Sequence, residues 1–226
     1  MNKAIAELVG TFTLVLFTVG ALVFGGIESG LHFALAAGFV LIAAYVLVAG
    51  ISGAHLNPAV TLGSLVAGRT SVADAIQYWI AQFVGGVAAV FVIWLLGEIS
   101  DGDISAFGGN VVPEGLDIAG TLILEGLLVL FFVLVYLKVS DGDNLIGRAV
   151  SVGLTFAAVY LVAGAATGGS ANMAKSLGSA IFEGGDTDAL EDIWVFIVAG
   201  AVGAVLAGLV HVALRSMSED KEPVSS

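Results

Sequence analysis

The sequence predicts an all-α membrane protein with six transmembrane helices and two re-entrant half-helices in an inverted repeat, and three observations lead there. Hydrophobic residues make up 58% of the 226 and charged residues 12%, against roughly a quarter charged in an ordinary soluble domain. Six apolar runs of about twenty residues recur along the chain, each long enough as a helix to cross a hydrocarbon core of roughly 30 Å. Residues 38–64 also lie over residues 153–179 under a single shift of 115 positions, an internal duplication.

The first run, near 4–24, follows the short positive start Met1-Asn2-Lys3. Its length and Glu7 argue for a retained span over a cleaved secretory leader. The second, near 31–51, passes into Ser52-Gly53-Ala54-His55-Leu56-Asn57-Pro58, which is too short and polar to span, with the apolar stretch Ala59–Ala67 behind it. Gly53 permits a bend, Asn57 is a good N-cap and Pro58 suits the first helical position, so a half-helix is predicted to start at Asn57. The third and fourth runs lie near 76–97 and 117–137. The fifth, near 146–166, leads into the second copy, Thr167–Gly178, with the apolar stretch Ala174–Phe182 overlapping its end. The sixth, near 193–214, opens at Trp194. Together they form one predicted membrane domain, residues 1–216, with repeats at about 1–97 and 117–214. Residues 217–226 have the acidic composition of a disordered tail.

The duplication pairs Gly38 with Gly153, Tyr45 with Tyr160, Asn57 with Asn172 and Gly63 with Gly178. An odd number of spans separates equivalent points, so the second copy enters the membrane from the opposite face. The two segments would meet near the midplane, where non-helical backbone is tolerable only if buried in protein or lining water. Glu7 and Glu125 hold similar places in the first span of each half, at an offset three residues longer. Intramembrane carboxylates point to function by default, and a proton relay is the alternative to bracing of the loop backbone.

The net charge of -12 is unevenly placed. Lys3, Arg69, Lys138, Arg148, Arg215 and Lys221 fall on one face, which predicts a multi-pass cell-membrane protein with both termini cytoplasmic. The opposite face carries Glu28, Glu98, Asp101, Asp103, Glu114, Asp117, Glu183, Asp186, Asp188, Glu191 and Asp192, read as a solvated surface, and only Lys175 breaks that pattern. With no cysteine, neither a disulfide nor a thiolate metal site is available. No metal-ligand spacing, nucleophile–base pair or phosphate loop emerges, so no enzyme, no cofactor and no nucleic-acid partner is expected. His32 and His211 are read as interfacial or packing residues.

At this point the residues resemble the aquaporin, or major intrinsic protein, family. Ser52–Gly63 matches its first signature throughout, Thr167–Gly178 is similar to its second, and the likeness extends to Ala6-Glu7 and Gly10-Thr11-Phe12 in the first span. The resemblance implies an aquaporin-like bundle around one pore per subunit, assembled as a homotetramer in membrane lipid. It implies that Asn57 and Asn172 are the central pore contacts, donating side-chain N–H groups to a passing oxygen. Two facing helix N-termini would place roughly half a positive charge each at the centre and repel protons and cations. Backbone carbonyls along about His55–Asn57 and Gly169–Asn172, with Ala54, Leu56, Ser170 and Ala171 among the lining residues, would supply acceptors. Glu7 and Glu125 would brace the loops, and His55 would brace its own.

By position relative to the asparagines, the family's selectivity ring falls on Ala37, Tyr160, Gly169 and Lys175. Ala37 and Gly169 leave space, and Tyr160 is expected to supply the only ring. Lys175 keeps a positive charge without the planar fork that grips two acceptors at once, unless it is an external surface lysine. Met173 stands where the second motif normally has proline, losing a preset backbone angle and adding a flexible side chain. The expected function is passive passage of water, with small uncharged solutes such as glycerol also admitted and protons and ions excluded. Alternatives are a glycerol, urea or metalloid-hydroxide facilitator with little water selectivity, a secondary transporter using Glu7, Glu125 and Asp74 as carriers, and a non-conducting membrane protein.

Overall fold

The computed structural model describes residues 2–25, 30–99, 104, 106–184 and 188–219. Glu28, Asp101, Asp103, Asp186 and the tail beyond Glu219 lie outside the described residues. The described chain is helical throughout its regular structure: α1 (Asn2–Phe24), α2 (Gly30–Ser52), α3 (Pro58–Val66), α4 (Val72–Ile99), α5 (Asp117–Val139), α6 (Leu145–Thr167), α7 (Met173–Phe182) and α8 (Ala189–Glu219). Six are long and apolar enough to cross a membrane; α3 and α7 are the short ones.

The observed helices overshoot the apolar runs because hydropathy registers only the hydrocarbon-facing part. Asp74 sits in the first turn of α4 and Glu191 and Asp192 in that of α8, where acidic groups complement the exposed N–H groups of a helix start. At its other end α8 continues through Met217, Ser218 and Glu219, past the boundary at 216 where the sequence placed the disordered tail. Ser218 Oγ bonds the Arg215 carbonyl at 2.7 Å there.

Within each half the first and third spans pack together, α1 on α4 and α5 on α8, while α2 meets α6 across the halves. The half-helices cross over, α3 lying against α8 and α7 against α4. Small residues make these contacts possible, as between helices in lipid generally, where close backbone approach replaces hydrophobic drive. A Cβ on Gly38 would lie 2.7 Å from Gly153 O, one on Gly178 2.8 Å from Gly86 O, and one on Gly208 2.8 Å from Gly63 O. Large apolar side chains such as Phe17, Phe39, Leu47, Ile80 and Ile123 point outward. The buried core holds the two half-helix starts.

Candidate functional site

The chain leaves α2 and α6 through the same turn twice. Gly53, Ala54 and Leu56 have φ of 90°, 56° and 53°, and their counterparts Gly168, Gly169 and Ala171 have 74°, 72° and 45°. Left-handed backbone at a non-glycine residue costs of order 1–3 kcal/mol, so Ala54, Leu56 and Ala171 must be held by their surroundings.

A buried carboxylate holds each turn. Glu7 in α1 accepts the Ser52 hydroxyl at 2.6 Å and the N–H of His55 at 2.9 Å on one oxygen. Its other oxygen takes the N–H of Leu56 at 2.7 Å and the Gln82 amide at 2.8 Å. Glu125 in α5 accepts the Thr167 hydroxyl and the N–H groups of Ser170 at 3.3 Å and Ala171 at 3.4 Å. These are the same three loop positions under the 115-residue shift. His55 Nδ1 lies 3.0 Å from Thr61 Oγ1, and the equivalent Ser170 Oγ lies 2.7 Å from Ser176 Oγ. The His55 ring also stands edge-on to Tyr78 at 5.0 Å and to Tyr136 at 5.7 Å.

Asn57 and Asn172 tie the two turns to each other. Each side-chain oxygen caps its own half-helix, Asn57 accepting from Ala59 N at 2.9 Å and Asn172 from Ala174 N at 2.9 Å and Lys175 N at 3.4 Å. Each amide nitrogen donates across, Asn57 to Ala171 O and Asn172 to Leu56 O, both at 2.8 Å. An amide carries two N–H donors, so one on each asparagine remains beyond the crossing bond. Met173 does not prevent α7 from starting, because Asn172 supplies the cap.

The carbonyls expected to line a path are partly engaged. Asn57 O and Asn172 O begin their half-helices, accepting Thr61 N at 3.1 Å and Ser176 N at 3.0 Å, while Leu56 O and Ala171 O take the crossing asparagines. A carbonyl has two lone pairs, so Asn172 O, Leu56 O and Ala171 O keep capacity for a second donor, while Asn57 O also takes the Thr61 hydroxyl at 3.3 Å.

Lys175, one turn into α7, is not a surface lysine: it is 1% exposed. Its ammonium donates to Gly108 O at 2.7 Å, Gly169 O at 3.2 Å and Asn110 Oδ1 at 3.3 Å. Three acceptors match its three N–H groups. Asn110 also accepts from Ser176 Oγ at 2.9 Å and donates to Thr167 O at 3.1 Å. The segment carrying Gly108 and Asn110 is strapped down by two residues read from the sequence as solvated. Glu183 accepts the N–H of Phe107 at 2.9 Å and of Gly109 at 2.7 Å, and Asp192 accepts that of Val112 at 2.7 Å.

Tyr160 is fully buried, with its hydroxyl 3.2 Å from Ser170 O. Its ring lies against Gly169, where a Cβ would come within 2.8 Å of a ring carbon. Two further rings pack against Tyr160. Phe33 stands edge-on to it at 5.0 Å and Phe156 at 4.7 Å. Ala37 is buried in the same cluster, one turn along α2 from Phe33. Asp74 is set apart, at the protein surface in a 3.3 Å ion pair with Lys3.

The sequence model described as MIP, major intrinsic protein, matches residues 1–211. This chain belongs to the major intrinsic protein family. Among its family relatives, Aquaporin Z of Brucella melitensis biotype 1 is 36% identical over 222 residues, 93% of this chain and 96% of that protein. Glycerol uptake facilitator protein-like 6 of Lactiplantibacillus plantarum is 37% identical over 214 residues, 92% of this chain and 95% of that protein. The X-ray structure of the aquaglyceroporin from Plasmodium falciparum shares the fold, with a TM-score of 0.86 over 98% of this chain and 99% of that one at 23% identity. The chain is therefore a multi-pass membrane protein of a channel family, not an enzyme.

Beyond the family signatures, the sequence left unnamed three residues that the structure brings against the candidate site: Phe33 on Tyr160, Gln82 on Glu7 and Asn110 on Lys175. Phe33 had a usable signal, since one helical turn before Ala37 lies on the same face of α2. Gln82 was visible only as a polar residue inside an apolar run. Asn110 had none, because its partners Lys175, Ser176 and Thr167 come from another half of the chain.

Proposed function

We propose that this member of the major intrinsic protein family is a passive channel for water that also admits small uncharged solutes such as glycerol and excludes protons and ions. The observation that carries this reading is the reciprocal bond between the loops, which leaves one N–H on each of Asn57 and Asn172 where two helix N-termini converge. A permeating oxygen accepts from both donors and must turn its own hydrogens away from the centre. The converging dipoles oppose a cation at the same point.

At the level of Tyr160, Gly169 and Lys175 the geometry favours selection by size and charge over selection by hydrogen bonding. The Lys175 donors are all spent on protein carbonyl and amide oxygens, so a hydroxylated solute meets its charge without its N–H groups. The commitment of the Lys175 donors to the protein favours a second reading, a neutral-solute facilitator with little water selectivity, whereas the space beside Gly169 is taken by the Tyr160 ring. The near-equal identity to a relative named for water and one named for glycerol, 36% and 37%, fits both. Transport coupled to protons is disfavoured because Glu7 and Glu125 are committed to loop backbone and Asp74 to Lys3.

The protein sits in the cell membrane as a homotetramer, as the family resemblance implies, with both termini cytoplasmic, an orientation supported by Lys3, Arg69, Lys138, Arg148 and Arg215 on one face. Stopped-flow light scattering on proteoliposomes tests the function. Water permeability well above that of empty vesicles is expected, with measurable glycerol flux and no dependence on a pH gradient. Fluxes no greater than those of empty vesicles for both would overturn the reading. Lys175→Ala should raise cation leak more than it changes water flux, read from the same vesicles with a potential-sensitive dye.

A further inference from the structure

Outside the loop region, two of the chain's seven cationic residues meet in a groove of about 570 Å³ between α5 and α8. Lys138 lies on α5 and Arg215 on α8, at the membrane end that also carries Lys3 and Arg69. The groove changes character along the helix axes. Phe131 and Leu134 lead up to Lys138 on α5, and Leu214 lies beside Arg215 on α8. At 1.5 Å per residue, Phe131 is about 10 Å deeper in the membrane than Lys138.

His211, one turn deeper than Arg215, also lines the groove. It is 6% exposed, and its Nε2 has no hydrogen-bond partner. An unpartnered buried polar atom costs stability unless something reaches it. Asp141 stands at the rim, but its carboxylate is paired with Arg69. Lys138 is in neither of the ion pairs formed among the described residues. In a protein of net charge -12 this concentration of positive charge over an apolar slot is complementary to an amphiphilic anion.

We propose that this groove holds an anionic phospholipid from the leaflet at the end that carries both chain termini. The phosphate sits between Lys138 and Arg215, the His211 ring turns to present its otherwise buried Nε2 to a glycerol-ester oxygen, and an acyl chain runs along Phe131, Leu134 and Leu214. A free phosphate would use only the rim and leave the apolar slot and the His211 nitrogen unmet. Juxtamembrane cations attract anionic lipid individually, and two on adjacent helices fix the headgroup in place. The site does not depend on what the channel conducts.

The test uses the full-length protein, purified in detergent and stripped of lipid. Native mass spectrometry counts retained lipid, and thermal unfolding is followed with added dioleoylphosphatidylglycerol, dioleoylphosphatidylcholine or inorganic phosphate. Retention of phosphatidylglycerol over phosphatidylcholine is expected, with a raised melting temperature that inorganic phosphate does not reproduce. Lys138→Gln with Arg215→Gln should lower phosphatidylglycerol retention by about tenfold or more, leave phosphatidylcholine retention unchanged and leave water permeability intact. His211→Phe should weaken retention while preserving the preference for the anionic headgroup.

If the double variant does not fold, Lys138→Gln alone still has to lower the preference. Equal retention by wild type and variants overturns the proposal, as does a melting shift given equally by inorganic phosphate. A change of oligomeric mass in the variants with no change in bound lipid would assign the groove to a second copy of the chain instead.

Discussion

The two re-entrant loops follow one backbone path on different supports. The first is held by rigid spans: Gln82 bonds Glu7, Tyr78 and Tyr136 donate to the carbonyls of Ser52 and Gly53 at 2.8 Å each, and Trp79 donates to Pro58 O at 3.1 Å. In the second, Glu125 reaches the loop N–H groups at 3.3 and 3.4 Å. The shift that relates Glu7 to Glu125 puts Gly200 opposite Gln82. Met173 fills that space, its Cε 2.8 Å from where a Gly200 Cβ would stand. The Thr167 carbonyl is held by Asn110 from the α4–α5 connection, and by no tyrosine. The first loop is thus held by side chains of the helix bundle, while the second, beyond Glu125 and the Tyr160 hydroxyl on Ser170 O, leans on a connecting segment and on a flexible thioether.

The largest expected effect separates the two carboxylates. Glu7→Ala strands two loop N–H groups and two side-chain donors in a buried place, at about 1–3 kcal/mol for each unsatisfied group. Folded yield and thermal stability in detergent should collapse. Glu125→Ala should cost clearly less, and an equal loss would break the comparison. Next is Gly200→Gln, which introduces a side chain where Met173 already lies and should destabilise by about 1–3 kcal/mol through overpacking. Combined with Met173→Pro, it should recover stability, giving a coupling of about 1 kcal/mol or more in a double-mutant cycle. Additive penalties would show that the exchange of proline and glutamine for methionine and glycine is coincidental.

Asn110→Ala acts on the second loop alone. It releases one Lys175 N–H and the Thr167 carbonyl, so the ratio of glycerol to water permeability should rise. Amide exchange at His55 and Leu56 should stay as slow as in the wild type, and faster exchange there would mean the loops are mechanically joined. The smallest effect is Ala54→Gly, which copies the glycine of the second loop into the first. Relief of left-handed backbone strain and added unfolded-state entropy oppose each other, so the change should stay within about 1 kcal/mol.

The helices and the loop starts were legible because local signals determine them. A run of twenty apolar residues has few fates other than a span, and Asn57-Pro58 carries its own cap and first-turn chemistry. The family resemblance and the 115-residue shift then located Asn172, Tyr160, Gly169 and Lys175 without a structure. Their surroundings were not legible in the same way. That Tyr160 has Phe33 beside it depends on how α2 meets α6. That Lys175 is turned inward depends on a connection strapped down by Glu183 and Asp192, which composition alone presents as solvated acid.

By itself the sequence determined the number of spans, the inversion of the halves and the place of the two asparagines, because periodicity, capping and duplication are written in neighbouring residues. Only the tertiary structure decided how many donors Lys175 has left, which groups relieve the strained turns, and where Lys138, Arg215 and His211 converge. Those outcomes depend on distances between residues from separate helices, set by backbone approach at glycines such as Gly38 and Gly153. No local pattern encodes how close two helices come.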